Sequence, residues 1–142
     1  MKPGTVQSDG GTIVNYSKLQ LALGRQKNTD TNGAYKKAVR ILKRLENKMT
    51  AEGVHVAMPS YLLECLIYNC PNEYFNRSSW RAVMRGCLAD SHNKTMGPEP
   101  TEESQRWLEA NSAKFLFGPA QKWTRASVHA FASAAWDYMD FE

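Results

Sequence analysis

The chain has 142 residues, with 18 Lys and Arg against 14 Asp and Glu, and its mean hydropathy is -0.54. This length suits one domain with its own core, and 42% apolar residues exclude a disordered or fibrous chain. No apolar run reaches the ~18 residues of a membrane helix, and the first residues lack the apolar segment of a secretory signal. Three cysteines without a C-x-x-C pair argue against a disulfide framework. We therefore expect a reducing, cytoplasmic setting.

Basic residues are concentrated in the first third of the chain. Residues 1–50 hold ten Lys and Arg and three Asp and Glu, whereas residues 51–142 hold eight and eleven. This asymmetry favours a local site for a polyanion, and a solvated basic helix face explains it equally well.

Residues 1–33 are rich in Gly, Asn, Thr and Ser and predict a linker with one strand. The strand is predicted over 12–16, and a loop over 24–33. A lone strand needs a partner, and the only other extended segment is the short run 115–117. Either the segment is extended coil or the rest of its sheet lies on residues outside this chain, and we favour the second.

The remaining residues, 34–142, predict a helical domain, so the fold class is mostly α with five helices. An apolar stripe from Ala38 to Met49 predicts the first helix, from residue 34 to a C-cap near Gly53. Pro59 is expected at the first position of a second, buried helix, which Pro71 ends. The other helices are predicted over 77–89, 101–108 and 120–140.

The familiar catalytic motifs, such as the nucleophile elbow, the P-loop and the zinc-protease motif, are absent from the sequence. The three histidines and three cysteines lack zinc-ligand spacing, and buried thiols acting as small apolar groups explain the cysteines better. We therefore predict no catalytic residue and no metal ligand in this chain.

The start of the second helix predicts an anion site. A helix N-terminus offers free backbone N–H groups and a positive dipole end, and Ser60 adds a hydroxyl donor. Lys43, on the preceding antiparallel helix, can reach the same anion, and the ring of Tyr61 can stack on a base. The simpler alternative is that Ser60 caps the helix, Tyr61 packs and Lys43 is solvated. Beside Lys43, a basic face is formed by Lys36, Arg40 and Arg44.

Two stretches, Tyr35–Lys43 and Pro59–Asn69, resemble the C-terminal helical lobe of bacterial cGAS/oligoadenylate-synthetase-like nucleotidyltransferases. Asn15–Lys18 and residues 24–31 are similar to the linker that leaves the family's catalytic lobe, and residues 114–138 contain segments similar to its end. The likeness covers nearly the whole chain.

This resemblance implies synthesis of linear or cyclic oligonucleotide second messengers, usually in antiviral (antiphage) defence, with two Mg²⁺ ions held by three carboxylates. It also implies that Lys43 and Ser60 bind a nucleoside triphosphate such as ATP, and that Tyr61 stacks on a base.

The family's carboxylates lie upstream of every segment found here. Before residue 34 the only acidic residues are Asp9 and Asp30, which cannot hold two ions ~4 Å apart. Gln20 stands where the family commonly has His. We therefore expect a lobe without its catalytic half, inactive alone, with Mg²⁺ and nucleotide bound in an assembled enzyme.

Two other readings stay open. One is a standalone helical module that binds nucleotides, RNA or a protein partner through its basic face. The other is a scaffold that contacts a partner through Arg77, Arg81 and Arg85. If residues 1–33 are disordered and expose apolar surface, the missing-lobe reading is favoured, whereas residues 1–33 that fold back over the helices favour a self-sufficient module.

Overall fold

The computed structural model describes residues 6–7, 13–14, 16–77 and 79–141. This part of the chain contains five α-helices, as the sequence predicts, and two very short strands. In chain order the elements are β1 (Val6–Gln7), β2 (Ile13–Val14), α1 (Tyr16–Asp30), α2 (Ala34–Ala51), α3 (Ser60–Tyr68), α4 (Trp80–Lys94) and α5 (Arg125–Tyr138). No helix among the described residues has the length and apolar character needed to cross a membrane.

The core is built around α2 and α3. The apolar stripe predicted on α2 is buried from Ala38 to Met49, and five side chains of α3 are buried, namely Leu62, Leu63, Cys65, Leu66 and Ile67. Burial of such side chains contributes roughly 1.5–3 kcal/mol each to folding. The helices α4 and α5 pack on each other and close the same core through Val83, Leu88, Val128 and Phe131.

The N-terminal prediction is partly wrong. Residues 16–30 form α1, where a strand end and a loop were predicted, and only Asn32 and Gly33 form the turn, with φ of 54° and 84°. Tertiary contacts stabilise α1: its Lys27 side chain donates to the Cys70 carbonyl oxygen at 2.8 Å. Asn and Thr therefore remain helical here despite their local preference for loops.

The predicted strand also has its partner within the chain. β2 pairs antiparallel with β1, with Val6 opposite Val14 and Gln7 opposite Ile13. The expectation of a lone strand, with residues 115–117 as the only candidate partner in the chain, is therefore wrong. That further strands of its sheet lie outside the chain stays a prediction.

The helix predicted over 101–108 is not formed. Only a 3₁₀ turn is present, over Glu103–Gln105, and the chain is extended at Arg106. Leu108 then pairs with Phe115, and the Leu116 N–H donates to the Trp107 carbonyl oxygen at 2.8 Å. Arg106 favours this path because its guanidinium donates to the Phe117 carbonyl oxygen at 2.7 Å.

Helix ends differ slightly from prediction. Pro59 precedes α3 instead of occupying its first position, which belongs to Ser60. Gly53 closes α2 with φ of 72°, in the left-handed region that the predicted C-cap requires. The Ser79 and Thr124 side chains cap α4 and α5 by accepting from backbone N–H groups, which sets both starts later than the sequence pattern indicates.

Candidate nucleotide site

The helices α2 and α3 run antiparallel, which orders the side chains of the site. At one end, the Met58 backbone N–H donates to the buried Glu46 carboxylate at 2.9 Å. At the other, the rings of Tyr35 and Tyr68 meet edge to face, with centroids 6.1 Å apart. Lys43 precedes Glu46 by one turn and Ser60 follows Met58, so both lie toward the same end of the pair.

Lys43 lines a cleft of about 240 Å³ between α1 and α2. Its side chain is half-buried, and no described residue forms an ion pair or hydrogen bond with it. An ammonium group without a protein counterion in a cleft is suited to binding an anion. The cleft is lined by Gln20, Leu21, Gly24, Arg25, Tyr35, Lys36, Val39, Arg40, Lys43 and Glu64.

Ser60 is the first residue of α3 and its side chain is exposed. No side chain caps this helix start, since the preceding residue is Pro59. The first backbone N–H groups and the Ser60 hydroxyl are therefore available to a ligand. A hydroxyl enclosed in the apolar core would exclude Ser60 from a binding role. The Ser60 side chain is instead exposed.

Tyr61 is more constrained than a free stacking platform. Its hydroxyl donates to the buried Glu109 carboxylate at 3.1 Å, and its ring contacts Trp123 at a centroid distance of 6.5 Å. Burial, and after it the nearby Cys65 and Glu109, raises the pKa of the Tyr61 hydroxyl, so it remains a donor. Tyr61 follows Ser60 by about 100° around α3. Its side chain is partly exposed and does not line the cleft.

Two of the three residues of the predicted basic face belong to the cleft. Lys36 and Arg40 line it with Lys43, whereas Arg44 is exposed on α2 beyond it. The described part of the chain places no carboxylate within ion-pair distance of any of them. Sequence reasoning missed Arg25, which α1 brings to the same cleft, because the segment was taken for a loop.

Sequence reasoning also missed the polar floor of the cleft. Gln20 donates to the Glu64 carboxylate at 3.1 Å, which joins α1 to α3. Tyr35 is 2% exposed, and its hydroxyl has no hydrogen-bond partner in the part of the chain that is described. The available signal for Glu64 was its position one turn after Ser60 on the same side of α3.

The Mg²⁺ ions that the resemblance implies have no fitting donor set in the described residues. No three His, Cys, Asp or Glu side chains come together there in a way that could hold a metal ion. Asp30 lies at the end of α1, where its carboxylate accepts from Gln26 at 2.8 Å, and Asp9 and Asn15 lie outside the described residues. No step involving a metal is assigned to the groups described here.

The alternative surface of Arg77, Arg81 and Arg85 is used within the chain. Each guanidinium lies over an aromatic ring, at 4.1 Å from Tyr74, 4.5 Å from Phe141 and 5.1 Å from Trp136, respectively. Arg81 also donates to the Met139 carbonyl oxygen at the end of α5. Arg81 and Arg85 thus join α4 to α5 and the residues after it, whereas Arg77 contacts Tyr74 in the preceding turn.

Comparison with known proteins supports this assignment of the fold. Residues 22–140 match the model of the cGAS/DncV-like nucleotidyltransferase C-terminal helical domain. The chain belongs to this family. Among curated members, it is 36% identical over 132 residues to a cyclic dipyrimidine nucleotide synthase CdnE of Legionella pneumophila, covering 92% of this chain and 42% of the relative. A second such CdnE, from Cecembia lonarensis, is 30% identical over 132 residues, covering 91% of this chain and 44% of that one.

Solved structures of the family share the fold. The Elizabethkingia meningoseptica CdnE cyclic dinucleotide synthase, determined with GTP and Apcpp, has a TM-score of 0.79 at 23% identity. The match covers 96% of this chain and 49% of that one. The Rhodothermus marinus CdnE c-UMP-AMP synthase, with Apcpp and Upnpp, has a TM-score of 0.73 at 26% identity, over 89% and 41% of the two chains. The chain thus spans less than half the length of these family members.

Proposed function

We propose that this chain is the helical, nucleotide-binding lobe of an enzyme that makes linear or cyclic oligonucleotide second messengers. The carrying observation is the half-buried Lys43, which lines the α1–α2 cleft and has no ion-pair partner among the described residues. The exposed Ser60 at the uncapped start of α3 does not line this cleft and is assigned to the site by the resemblance. The names of the relatives support this class of product. A role in antiphage defence follows from the resemblance alone. Three buried free cysteines support a reducing, cytoplasmic location.

In the proposed reaction, a nucleotide hydroxyl attacks an α-phosphate in line. Lys43 and Ser60 hold the triphosphate, and the Tyr61 ring contributes a stacking surface for a base. The contribution of this lobe is positioning and charge neutralisation, because none of these groups is placed to take the proton of the attacking hydroxyl. The Mg²⁺ ions and their carboxylates belong, in this proposal, to a catalytic lobe or split-enzyme partner.

The proposal is tested by Lys43→Ala, with binding of ATP, CTP, GTP and UTP to the chain measured by calorimetry. We expect a loss of at least ~10-fold in affinity, the range for a hydrogen bond to a charged group. Lys37→Ala is the control, since Lys37 is an exposed α2 residue that does not line the cleft. Equal affinity of wild type and Lys43→Ala would remove Lys43 from the site.

The proposal that the catalytic carboxylates lie on another lobe or subunit has its own test. The purified chain, incubated with Mg²⁺ and nucleoside triphosphates, should form no linked product, and any such product refutes this part.

A standalone module that binds RNA is the second candidate, because none of the described residues forms an ion pair with the cations of α2. It predicts that Lys37→Ala and Lys43→Ala weaken RNA binding equally, with a steep dependence on salt.

A further inference from the structure

The hydroxyl of Tyr35 is the least explained polar group near the cleft. The side chain is almost fully buried, it lines the cleft, and its hydroxyl has no hydrogen-bond partner among the described residues. Glu64 is the carboxylate among the residues that line the cleft, and its Oε2 atom accepts from Gln20. A buried donor without an acceptor lowers stability, so a native structure that keeps one calls for a ligand or another cause.

The floor of the cleft combines a donor and an acceptor. Burial, and next the charge of Glu64, raises the pKa of the Tyr35 hydroxyl, so it stays protonated and can donate. The Glu64 carboxylate can only accept, and it repels phosphate. A nucleobase edge presents a ring acceptor beside an N–H donor, which matches this pair. The neighbouring walls are the apolar Leu21 and Val39.

We propose that the α1–α2 cleft binds a nucleobase by its edge, with the Tyr35 hydroxyl donating to the base and Glu64 accepting from it. The proposal rests on the proposed nucleotide-binding function and adds residues that read the base. Tyr35 and Lys43 are eight residues apart on α2, about 12 Å along its axis, a separation comparable to the length of a nucleotide. The rim cations Lys36, Arg40 and Lys43 then face its phosphates.

This site differs from the stacking surface at Tyr61. The Tyr61 hydroxyl donates to Glu109 and the side chain lies outside the cleft. It can therefore hold the face of a ring but cannot read the edge of a base in the cleft.

The test is Tyr35→Phe, which deletes only the hydroxyl. Binding of CTP and of inorganic triphosphate to the whole chain is measured by calorimetry, together with thermal unfolding. We expect CTP to bind about 5- to 10-fold more weakly, triphosphate to bind unchanged and the melting temperature not to fall. Tyr68→Phe is the matched control: its hydroxyl contacts Ser112 at 3.1 Å and does not line the cleft, so both affinities should be retained.

A second variant, Glu64→Gln, removes the charge of the acceptor. It should weaken CTP binding while triphosphate binds equally well or more tightly, since a negative charge has left the cleft. Unchanged CTP affinity in both variants, with Lys43→Ala still weakened, overturns the base site and leaves the proposed function standing. An equal loss for both probes shows that Tyr35 contacts phosphate and also overturns it. Failure of Lys43→Ala to weaken either probe refutes the proposed function itself.

Discussion

Lys27 shows how one polar side chain stabilises a segment that local sequence favours as a loop. Its ammonium donates to the Cys70 carbonyl oxygen at 2.8 Å and to Asn72 Oδ1 at 2.6 Å. It also lies 5.4 Å from the ring centroid of Phe75. Burial lowers the pKa of this ammonium, and the neighbouring thiol of Cys70 partly opposes the shift. The side chain thus joins α1 to the end of α3.

Lys27→Met should lower the free energy of unfolding by about 2 kcal/mol, because a partly buried carbonyl oxygen loses its charged donor. Urea unfolding at neutral pH measures the change. Lys37→Met, an exposed position on α2, is the control and should cost less than about 0.5 kcal/mol. Equal losses in the two variants would show that the Lys27 contacts add nothing.

A second residue, Cys65, links stability to alkaline pH. Burial raises the pKa of its thiol to about 12 from an ordinary 9.0, although the thiol accepts a hydrogen bond from the Ala110 N–H at 3.3 Å. The folded protein therefore holds this proton more tightly than the unfolded chain. The associated stability is complete below pH 9.0 and is lost as the pH rises from there toward about 12.

Cys65→Ser keeps an acceptor for Ala110 and removes this titration. Between about pH 8 and pH 10.5 the wild type should lose about 2 kcal/mol more stability than the variant. Other raised groups, such as Cys70, titrate in both proteins and cancel in the comparison. Urea unfolding at the two pH values is the measurement, and parallel losses would contradict the prediction.

At the scale of elements, Arg125 joins the end of α4 to the start of α5. Its guanidinium donates to Gly97 O at 2.8 Å, to Glu99 Oε1 at 2.8 Å and to Lys94 O at 2.7 Å. Glu99 also lies 3.5 Å from the Arg106 guanidinium. This network holds the segment between the helices in an extended path, where a helix was predicted from its acidic start.

Arg125→Lys should destabilise the protein by about 2–3 kcal/mol, since one ammonium cannot reproduce a fork of donors to three acceptors. Arg44→Lys is the matched control at an exposed position without an ion pair to any described residue, and it should be neutral. Thermal or urea unfolding of both variants measures the loss of stability. A neutral Arg125→Lys would refute the role of Arg125 in joining α4 to α5.

At the scale of the whole molecule, α1 is one of the elements that leave apolar side chains exposed. Leu19 is 36% exposed and Leu21 is 55% exposed, although α1 packs on α2 along its other side. Exposed apolar surface here is the feature expected if a further lobe covers this helix. The packing of α1 on α2 is, by contrast, the outcome expected of a self-sufficient module, so both interpretations of the chain stay predictions.

The sequence by itself determined the helical core. The apolar stripe of α2 and the apolar run of α3 predict which side chains of the two helices are buried. Gly53 and Pro71 mark the ends of these helices through their backbone geometry. The same reasoning predicted that α2 and α3 are antiparallel, which the contacts at the two ends of the pair support. A shared site of Lys43 and Ser60, and their binding roles, stay predictions.

Only the tertiary structure decided the conformation of segments that lack a strong hydrophobic periodicity. Residues 16–30 become helical because Lys27 and Gln20 find partners on residues 64–72. Residues 101–108 do not form an α-helix, because Arg106 is extended and binds the Phe117 carbonyl oxygen. The buried hydroxyl of Tyr35 was equally invisible in the sequence. Such contacts join residues distant in the chain, so local propensity contains no information about them.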